Sequence, residues 1–234
     1  FKFKNARSRI WAFTQMGRAR FLIPKLPGLR FYKLFGTGSG EGFTFIFNPF
    51  LNSGVYAILA VWENKDIALQ ALGSSTIFER YKHYSAENWT VILKPVSVRG
   101  LWSGDCPFIA QKEEFEGNIV ALTRATIKVT TLLKFWKRVP DIQTVIGADE
   151  NVLFKIGMGE IPLFHQVTFS IWPSEESMNT FARESGPHAR AIRAVRKENW
   201  FAEELYARFK IIDQIGRWSE VSPILSTKKE TKPS

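Results

Sequence analysis

The stretches Glu87-Asn88-Trp89 and Gly100-Leu101-Trp102-Ser103 recur later in the chain as Glu198-Asn199-Trp200 and Gly216-Arg217-Trp218-Ser219. Four more pairs of short stretches occur in the same order when residues 8–104 are laid against residues 118–220. They are Phe13-Thr14-Gln15 with Leu122-Thr123-Arg124, Leu26-Pro27-Gly28-Leu29 with Val139-Pro140-Asp141-Ile142, Gly38-Ser39-Gly40-Glu41 with Gly157-Met158-Gly159-Glu160, and Ala60-Val61-Trp62 with Ser170-Ile171-Trp172. Because a chain that is merely rich in tryptophan would not also repeat the Glu-Asn and Gly neighbours, the pattern predicts an internal duplication.

Each half shows the periodicity of strand, helix, strand, strand, helix, strand, which is the βαββαβ order of a ferredoxin-like unit. The predicted strands include Val55 to Trp62, Trp89 to Val98, Val167 to Trp172 and Leu205 to Ile212. Helices are predicted at Asn64 to Leu72 and Ser174 to Phe181, each after a residue that can cap it. We therefore predict an α+β fold of two tandem ferredoxin-like halves, 8–115 and 118–222, packed as in a dimeric α/β barrel. A disordered tail is predicted at 226–234.

The first half has a longer segment between Glu41 and Trp62 than the second half has between Glu160 and Trp172. This insertion contains Phe43-Thr44-Phe45-Ile46-Phe47-Asn48-Pro49-Phe50. One interpretation is an extended hairpin whose alternate phenylalanines complete the core. The other is an apolar lip that contacts a membrane or an apolar substrate.

The composition describes a folded globular chain, since 234 residues with 45% hydrophobic content are enough for a substantial core. A single cysteine, Cys106, excludes an internal disulfide and a multi-cysteine metal site, so we expect a cytoplasmic location. No run of residues approaches the roughly 18 apolar residues that a membrane-spanning helix needs. The net charge of +10 suits nucleic acid, an anionic membrane surface or an anionic cofactor. Because the cations are dispersed, we expect no nucleic-acid partner.

The common catalytic motifs are missing from the sequence, which has no phosphate loop, nucleophile elbow or HExxH segment. Residues Gly36-Thr37-Gly38-Ser39-Gly40 lack the strand-to-helix context and the later acidic residue of a dinucleotide fingerprint. We interpret them, and the matching Gly157-Met158-Gly159, as turns or bulges. Cys106 is interpreted as a small hydrophobe or an inert thiol.

Of the three histidines, His188 has the most informative setting. His83 lies in a polar stretch typical of a solvated helix end, and His165 begins a strand predicted to be buried. His188 forms an i, i+4, i+7 stripe with Ile192 and Val195 on a predicted helix, so its imidazole faces inward with cations at the borders of that face. This arrangement suits a haem, with the imidazole bound to iron and arginines bound to the propionates. A half-buried histidine on a basic amphipathic helix explains the same residues without a cofactor.

At these positions the sequence resembles the spheroidene monooxygenase family. The resemblance covers most of residues 10–218 and is carried by several long blocks in order. They are Trp11-Ala12-Phe13-Thr14-Gln15-Met16, Pro27-Gly28-Leu29-Arg30-Phe31-Tyr32-Lys33-Leu34, Gly38-Ser39-Gly40-Glu41-Gly42-Phe43, Leu122-Thr123-Arg124-Ala125-Thr126, Ile156-Gly157-Met158-Gly159-Glu160, Thr168-Phe169-Ser170-Ile171-Trp172-Pro173 and His188-Ala189-Arg190-Ala191-Ile192-Arg193-Ala194-Val195-Arg196.

The resemblance implies a haem b enzyme that inserts oxygen at C2 of an acyclic carotenoid end group, as a ketolase or a hydroxylase. It also implies an external electron donor such as a ferredoxin. Related haem proteins with dimeric α/β-barrel folds use a histidine ligand, which favours His188 as the iron ligand. The residues that we then expect at the propionates are Arg124, Arg193 and Arg196. The residues that we expect in the apolar wall of the substrate pocket are Met158, Phe169, Trp172 and Trp200.

Two other functions remain open, namely a cofactor-free monooxygenase of the same barrel superfamily and a basic, non-enzymatic binding module. A binding module for RNA would show a Lys/Arg-Gly-Phe-Gly-Phe type of signature on its central strands, and this sequence has none. Because a carotenoid resides in the bilayer, we also expect peripheral contact with the inner face of the membrane, assisted by the net positive charge.

Overall fold

A computed structural model describes residues 1–37, 54–111, 116–137, 152–161, 163–183 and 198–219. Its strands are β1 (Leu29–Gly36), β2 (Tyr56–Trp62), β3 (Asn88–Gly100), β4 (Ile119–Ile127), β5 (Phe154–Ile161), β6 (His165–Trp172) and β7 (Phe201–Arg217). Its helices are α1 (Ala6–Leu22), α2 (Lys65–Ser74), α3 (Thr76–Tyr84), α4 (described over 132–137) and α5 (Glu175–Arg183), with 3-10 turns at Ile23–Lys25 and Val129–Thr131. The prediction of a mixed α and β fold is confirmed.

The seven strands form one antiparallel sheet in the order β2-β1-β5-β6-β4-β7-β3. One face of this sheet packs on itself, because Phe35, Leu122, Val167 and Leu205, from four different strands, belong to a single buried cluster. Lys2 forms bridges to both Val55 and Glu87, which precede the two edge strands β2 and β3. The sheet is therefore curled, and we call its concave side the interior face.

Helices cover the other side of the sheet, which we call the helix-facing side. Against β1 and β2, α1 and α3 bury Leu34 and Tyr56 together with Tyr81. Against β4 and β6, α5 buries Ile119 and Trp172. Successive residues of a strand thus alternate between an interior apolar cluster and a helix-facing layer.

Local signals explain where several elements begin. The Asn64 side chain accepts a hydrogen bond from the Ile67 backbone N–H at 3.0 Å, which starts α2 as predicted. Ser174 accepts from the Ser177 N–H at 3.1 Å and starts α5 in the same way. The predicted strands around Trp62, Trp89, Trp172 and Leu205 are confirmed as β2, β3, β6 and β7.

The matched stretches Phe13-Thr14-Gln15 and Leu122-Thr123-Arg124 lie in different kinds of element, the first in α1 and the second in β4. Asn5 caps α1 by accepting the Ser8 N–H at 2.8 Å. The position between β2 and β3 is taken instead by residues 1–3, whose backbone bonds to Gly54, Tyr56 and Glu87. Whether the two halves are a tandem duplication stays a prediction.

Some predictions concern residues that the structure does not describe. The phenylalanine insertion at 43–50 and the predicted tail at 226–234 lie outside the described ranges. Among the described helices, none combines the length and the apolar character needed to cross a membrane.

Candidate active site

The site residues predicted from the sequence do not all meet in one place. His188, Arg193 and Arg196 lie outside the described residues. Arg124, Met158 and Phe169 lie on the interior face of β4, β5 and β6. Trp172 lies on the helix-facing side, where its ring contacts Phe181 of α5, and Trp200 is buried just before β7. The predicted wall residues Phe169 and Trp172 therefore belong to opposite faces of one strand.

Arg124 forms an ion pair inside the curled sheet. Its side chain is almost fully buried, and its guanidinium donates to the Glu203 carboxylate on the neighbouring strand β7. The guanidinium carbon lies 5.8 Å from the centre of the Trp102 ring, a cation–π arrangement. Its Nε–H has no hydrogen-bond partner. The buried cation thus keeps one free donor.

Glu203 is held by backbone as well as by Arg124. The N–H groups of Ser103 and Gly104 donate to its two carboxylate oxygens at 2.8 and 2.7 Å. Both residues lie in the turn after β3 with positive φ values of 57° and 81°. Burial raises the pKa of Glu203, but the two backbone hydrogen bonds and Arg124 outweigh it, so the pKa lies below its ordinary value. Glu203 is therefore a carboxylate at neutral pH.

A second ion pair joins β1 to β5 beside the first. Lys33 Nζ lies 2.6 Å from Glu160 Oε1, and the Trp102 indole N–H donates to Glu160 Oε2 at 3.0 Å. Burial raises the pKa of Glu160, but the hydrogen bonds from Lys33 and Trp102 outweigh it and lower the pKa overall. Trp102, which is fully buried, thus contacts both ion pairs.

His165 lies next to this second pair. Its Nδ1 is 3.7 Å from Glu160 Oε2, too far for a hydrogen bond, and it has no hydrogen-bond partner. Burial and the positive charge of Arg124 lower the pKa of His165. The imidazole is therefore neutral at neutral pH and has a free ring nitrogen. We call Lys33, Trp102, Arg124, Glu160, His165 and Glu203 the interior polar cluster.

A cavity of about 680 Å³ opens beside His165 at the end of the sheet. Its lining is mostly apolar and includes Ile127, Ile161 and Phe164, with Thr126, Lys128, Thr130 and His165 as polar members. Because His165 belongs both to this cavity and to the interior polar cluster, a molecule in the cavity would reach the imidazole.

The helix-facing side of the same strands carries small residues. Gly159 of β5 and Ala125 of β4 lie on either side of Gln166 in the pairing register, and Gly157 and Thr123 lie on either side of Thr168. Gln166 is only 5% exposed, and neither its amide nitrogen nor its amide oxygen has a hydrogen-bond partner. A buried amide without partners costs about 1–3 kcal/mol, so a bound group that offered a donor or an acceptor here would gain a hydrogen bond.

Metal ligation by a local cluster is not seen in the described ranges, where no group of three or more His, Cys, Asp or Glu side chains comes together. Cys106 is an exposed free thiol rather than a small buried hydrophobe. Its backbone N–H donates to the Asp105 side chain at 2.7 Å, so the thiol sits in a polar surface turn.

Sequence reasoning singled out Arg124 of the interior polar cluster but missed its partners, although the repeat contained two of them. Glu160 ends the Gly157-Met158-Gly159-Glu160 stretch, and Trp102 lies in the stretch that begins at Gly100. Neither was assigned a role in the site. The signal that could have identified the cluster is a charged residue, Lys33 or Glu160, within a strand whose pattern predicts burial. Unpaired charges are rarely placed on interior strand faces.

Comparison with known proteins gives consistent relatives. The chain is 45% identical over 226 residues to spheroidene monooxygenase of Cereibacter sphaeroides, which covers 96% of this chain and 68% of that protein. It is 44% identical over 229 residues to spheroidene monooxygenase of Rhodobacter capsulatus, covering 97% of this chain and 93% of that protein. Among solved structures, an aldoxime dehydratase in complex with butyraldoxime matches with a TM-score of 0.50 and 9% identity, over 91% of this chain and 77% of that chain, a likeness of fold alone. No family model matches the sequence.

Proposed function

Since the chain belongs to the spheroidene monooxygenase family and is an oxidoreductase, we propose that it is a haem-dependent monooxygenase that adds oxygen at C2 of an acyclic carotenoid end group. The observation that carries this proposal is the identity to two spheroidene monooxygenases across nearly the whole chain. Whether the product is a ketone or an alcohol depends on how many times the same carbon is oxidised.

The residues on the helix-facing side of β4, β5 and β6 suit a haem. The row of Gly157, Thr168 and Thr123 carries only small side chains, and the neighbouring row carries the unpartnered amide of Gln166. The interior face of the same strands is filled by side chains such as Leu122 and Val167, which are almost fully buried. The helix-facing side therefore accommodates a macrocycle better than the interior does.

We propose that His188 holds the iron, and that Arg193 and Arg196 neutralise the propionates. These residues follow α5 in the connection from β6 to β7. Bound there, the haem supplies the redox chemistry with O2, with electrons from an external donor such as a ferredoxin. Trp172 would contribute to the apolar wall, while Arg124, Met158 and Phe169 would support the strands from the interior face.

The chain's own residues then have separable tasks. Gly157, Thr168 and Thr123, together with Gln166, would orient the cofactor. Trp172 in the apolar wall would help to exclude water. The interior polar cluster would hold and exchange protons, since the neutral imidazole of His165 has a free nitrogen and faces the cavity. An apolar substrate would meet the mostly apolar lining of that cavity.

We also propose that the fold is a tandem pair of ferredoxin-like units. Gly100 ends β3 with φ of 93°, and Gly216 ends β7 with φ of 89°. Each lies against the start of the other strand, because a Cβ on Gly100 would be 2.1 Å from the Glu204 carbonyl oxygen and one on Gly216 would be 2.3 Å from the Asn88 carbonyl oxygen. Matching glycines in matching positions support a pseudo-twofold relation, in which Trp62 superposes on Trp172 and Trp89 on Trp200.

The test is an absorption spectrum of protein produced with haem supplied, followed by pigment analysis in cells that make a 1-hydroxylated acyclic carotenoid. We expect a Soret band that His188→Ala abolishes or strongly weakens. Mass spectrometry should find one added oxygen in the pigment of cells with the native chain. A His188→Ala variant with a full Soret band would remove His188 from this role, and unchanged pigment with full haem loading would exclude the carotenoid.

A cofactor-free monooxygenase is the second candidate, and the unpaired His165 beside an apolar cavity favours it over a binding module. In that case purified protein would oxidise its substrate without a Soret band, and His165→Ala would abolish turnover while His188→Ala would not.

A further inference from the structure

Three neighbouring strands place a row of polar side chains at the end of the sheet where the cavity beside His165 opens. In the pairing register, Thr126 of β4 lies directly between His165 of β6 and Glu203 of β7. Arg124 precedes Thr126 by two positions and therefore shares its face. Directly paired residues have Cβ atoms about 4.5–5.5 Å apart, so Thr126 and His165 can contact the same atom of a bound molecule. Both residues line the cavity.

Polar atoms of this row are buried without hydrogen bonds. Within the described part of the chain, neither Thr126 Oγ1 nor His165 Nδ1 has a partner, and the same is true of Nε of the almost fully buried Arg124. Each of these groups has lost hydrogen bonds to water without a replacement, which destabilises the ligand-free protein. A single oxygen atom between Thr126 and His165 would satisfy both, because the hydroxyl donates or accepts and the imidazole nitrogen does either according to its tautomer.

The charges around the row favour a neutral ligand group. Glu203 is already paired with Arg124, and Glu160, whose Oε2 lies 3.7 Å from His165 Nδ1, is paired with Lys33. An anionic group beside His165 would be repelled by the Glu160 carboxylate, and a cationic group would compete with the lysine and the arginine. A hydroxyl or a carbonyl oxygen meets neither cost.

We propose that this cavity binds an apolar molecule through one neutral oxygen, a hydroxyl or a carbonyl, which Thr126 and His165 hold by hydrogen bonds. The apolar remainder of the molecule would lie against Ile127, Ile161 and Phe164. Lys128 also lines the cavity, so a carboxylate is the competing class of ligand. The proposed function gives the same cavity to its apolar substrate, and the proposal rests on that function for the identity of the natural ligand.

The test is binding of toluene, benzyl alcohol, acetophenone and benzoate to the purified full chain, followed by NMR of the histidine ring nitrogens. These compounds share one ring and differ in carrying no oxygen, a hydroxyl, a carbonyl or a carboxylate. We expect benzyl alcohol and acetophenone to shift the His165 ring resonances, which are assigned by their loss in His165→Leu. Toluene should shift them less, and benzoate should bind more weakly than benzyl alcohol.

The decisive variant is Thr126→Val, which keeps the shape of the side chain and removes its hydroxyl. It should weaken the binding of benzyl alcohol and acetophenone about three- to tenfold, the effect of one neutral hydrogen bond, and leave the binding of toluene unchanged. Its melting temperature should not fall, because the hydroxyl has no partner in the ligand-free protein. His165→Leu should weaken the binding of the same two compounds.

The matched control is Thr131→Val, because the Thr131 hydroxyl already hydrogen-bonds to the carbonyl oxygens of Lys128 and Trp200 at 3.2 and 3.0 Å. This variant should lower the melting temperature without changing the preference for the two oxygen compounds over toluene. Native affinity of Thr126→Val for benzyl alcohol and acetophenone would overturn the proposal, as would tighter binding of benzoate than of benzyl alcohol. The measurements need neither turnover nor a Soret band, so failure of the proposed function would be seen separately.

Discussion

Lys33 of β1 and Glu160 of β5 form an ion pair across the junction between the first-half and second-half strands, with 2.6 Å between Nζ and Oε1. Among the described residues, backbone pairing between β1 and β5 is limited to Gly36 with Gly159, whereas β3 and β7, which also join the two halves, share a long ladder. Both charged side chains are only 17% exposed. The ion pair therefore supplements a junction where the ladder of backbone hydrogen bonds is short, and it connects the sheet to Trp102.

Removing one partner of this pair should destabilise the protein. Lys33→Met leaves the Glu160 carboxylate half-buried with the Trp102 N–H as its remaining close donor, and we expect a loss of about 2 kcal/mol in the free energy of unfolding. Urea unfolding followed by tryptophan fluorescence measures it. The control is Lys65→Met, which breaks a 2.9 Å pair with Asp213 whose lysine is 41% exposed and should cost less than about 1 kcal/mol. Equal losses for the two variants would contradict the assigned role of Lys33.

Stability should fall as the pH is lowered, in two steps. The pKa of His165 is lowered from 6.5, so below that pH the unfolded chain takes up a proton that the folded protein resists, and stability begins to decrease. The pKa values of Glu160 and Glu203 are lowered from 4.5, so their contribution is complete above pH 4.5 and is lost as the pH falls through the folded values. Melting temperatures from pH 8 down to about pH 3 test this order.

Variants separate the two steps. His165→Gln should flatten the decline just below pH 6.5 and keep the acidic step, whereas Glu160→Gln should keep that decline and reduce the acidic step, to which Glu203 still contributes. A pH profile of the native chain that is flat down to pH 4.5 would show that His165 is not held neutral by burial and Arg124.

Gly100 should tolerate no side chain. Gly100→Ala places a Cβ 2.1 Å from the Glu204 carbonyl oxygen at a φ of 93°, so β3 and β7 must separate there. We expect the free energy of unfolding to fall by more than about 2 kcal/mol, because the added side chain meets both the steric cost of a left-handed φ and the backbone clash. The control is Gly104→Ala, where φ is 81° but no atom lies within 4 Å of the added Cβ. It should cost about 1 kcal/mol. Similar losses for both variants would mean that the close contact at Gly100 relaxes.

The sequence predicted most of the strands and the starts of two helices because those features depend on neighbouring residues. The apolar run that ends at Trp62 and the Asn64 cap are examples, since each acts within one turn or one strand. Phe13-Thr14-Gln15 matches a stretch of β4 in the repeat, yet the cap at Asn5 and the packing of Ala12 make it helical. Whether that stretch forms a helix or a strand is decided by contacts that a sequence repeat does not reveal.

The candidate site was predicted less well, because it depends on strand register and on distant pairs. Lys33 and Glu160 are 127 positions apart, and nothing local in either stretch indicates the other. Phe169 and Trp172 look equivalent in sequence, but the alternation of β6 sends them to opposite faces. The same alternation places Gln166 beside small residues, which becomes visible only when β4 and β5 are paired with β6.

Gln166 provides a prediction in which stability and ligand binding change in opposite directions. Its amide is buried without a hydrogen-bond partner, so Gln166→Leu should stabilise the haem-free protein by about 1–3 kcal/mol. If the amide contacts the bound cofactor, the same variant should weaken haem binding about tenfold, the effect of one lost hydrogen bond of about 1.4 kcal/mol. Thermal unfolding of the haem-free chain and a haem titration followed in the Soret region measure the two effects separately.

Gln15→Leu is the matched control, because Gln15 is also buried but its amide donates to Thr14 Oγ1 at 3.3 Å. This variant should neither stabilise the haem-free protein nor alter the haem titration. A Gln166→Leu protein that is less stable than the native chain would show that the amide is satisfied within the fold, and one that binds haem with native affinity would place the cofactor away from this surface.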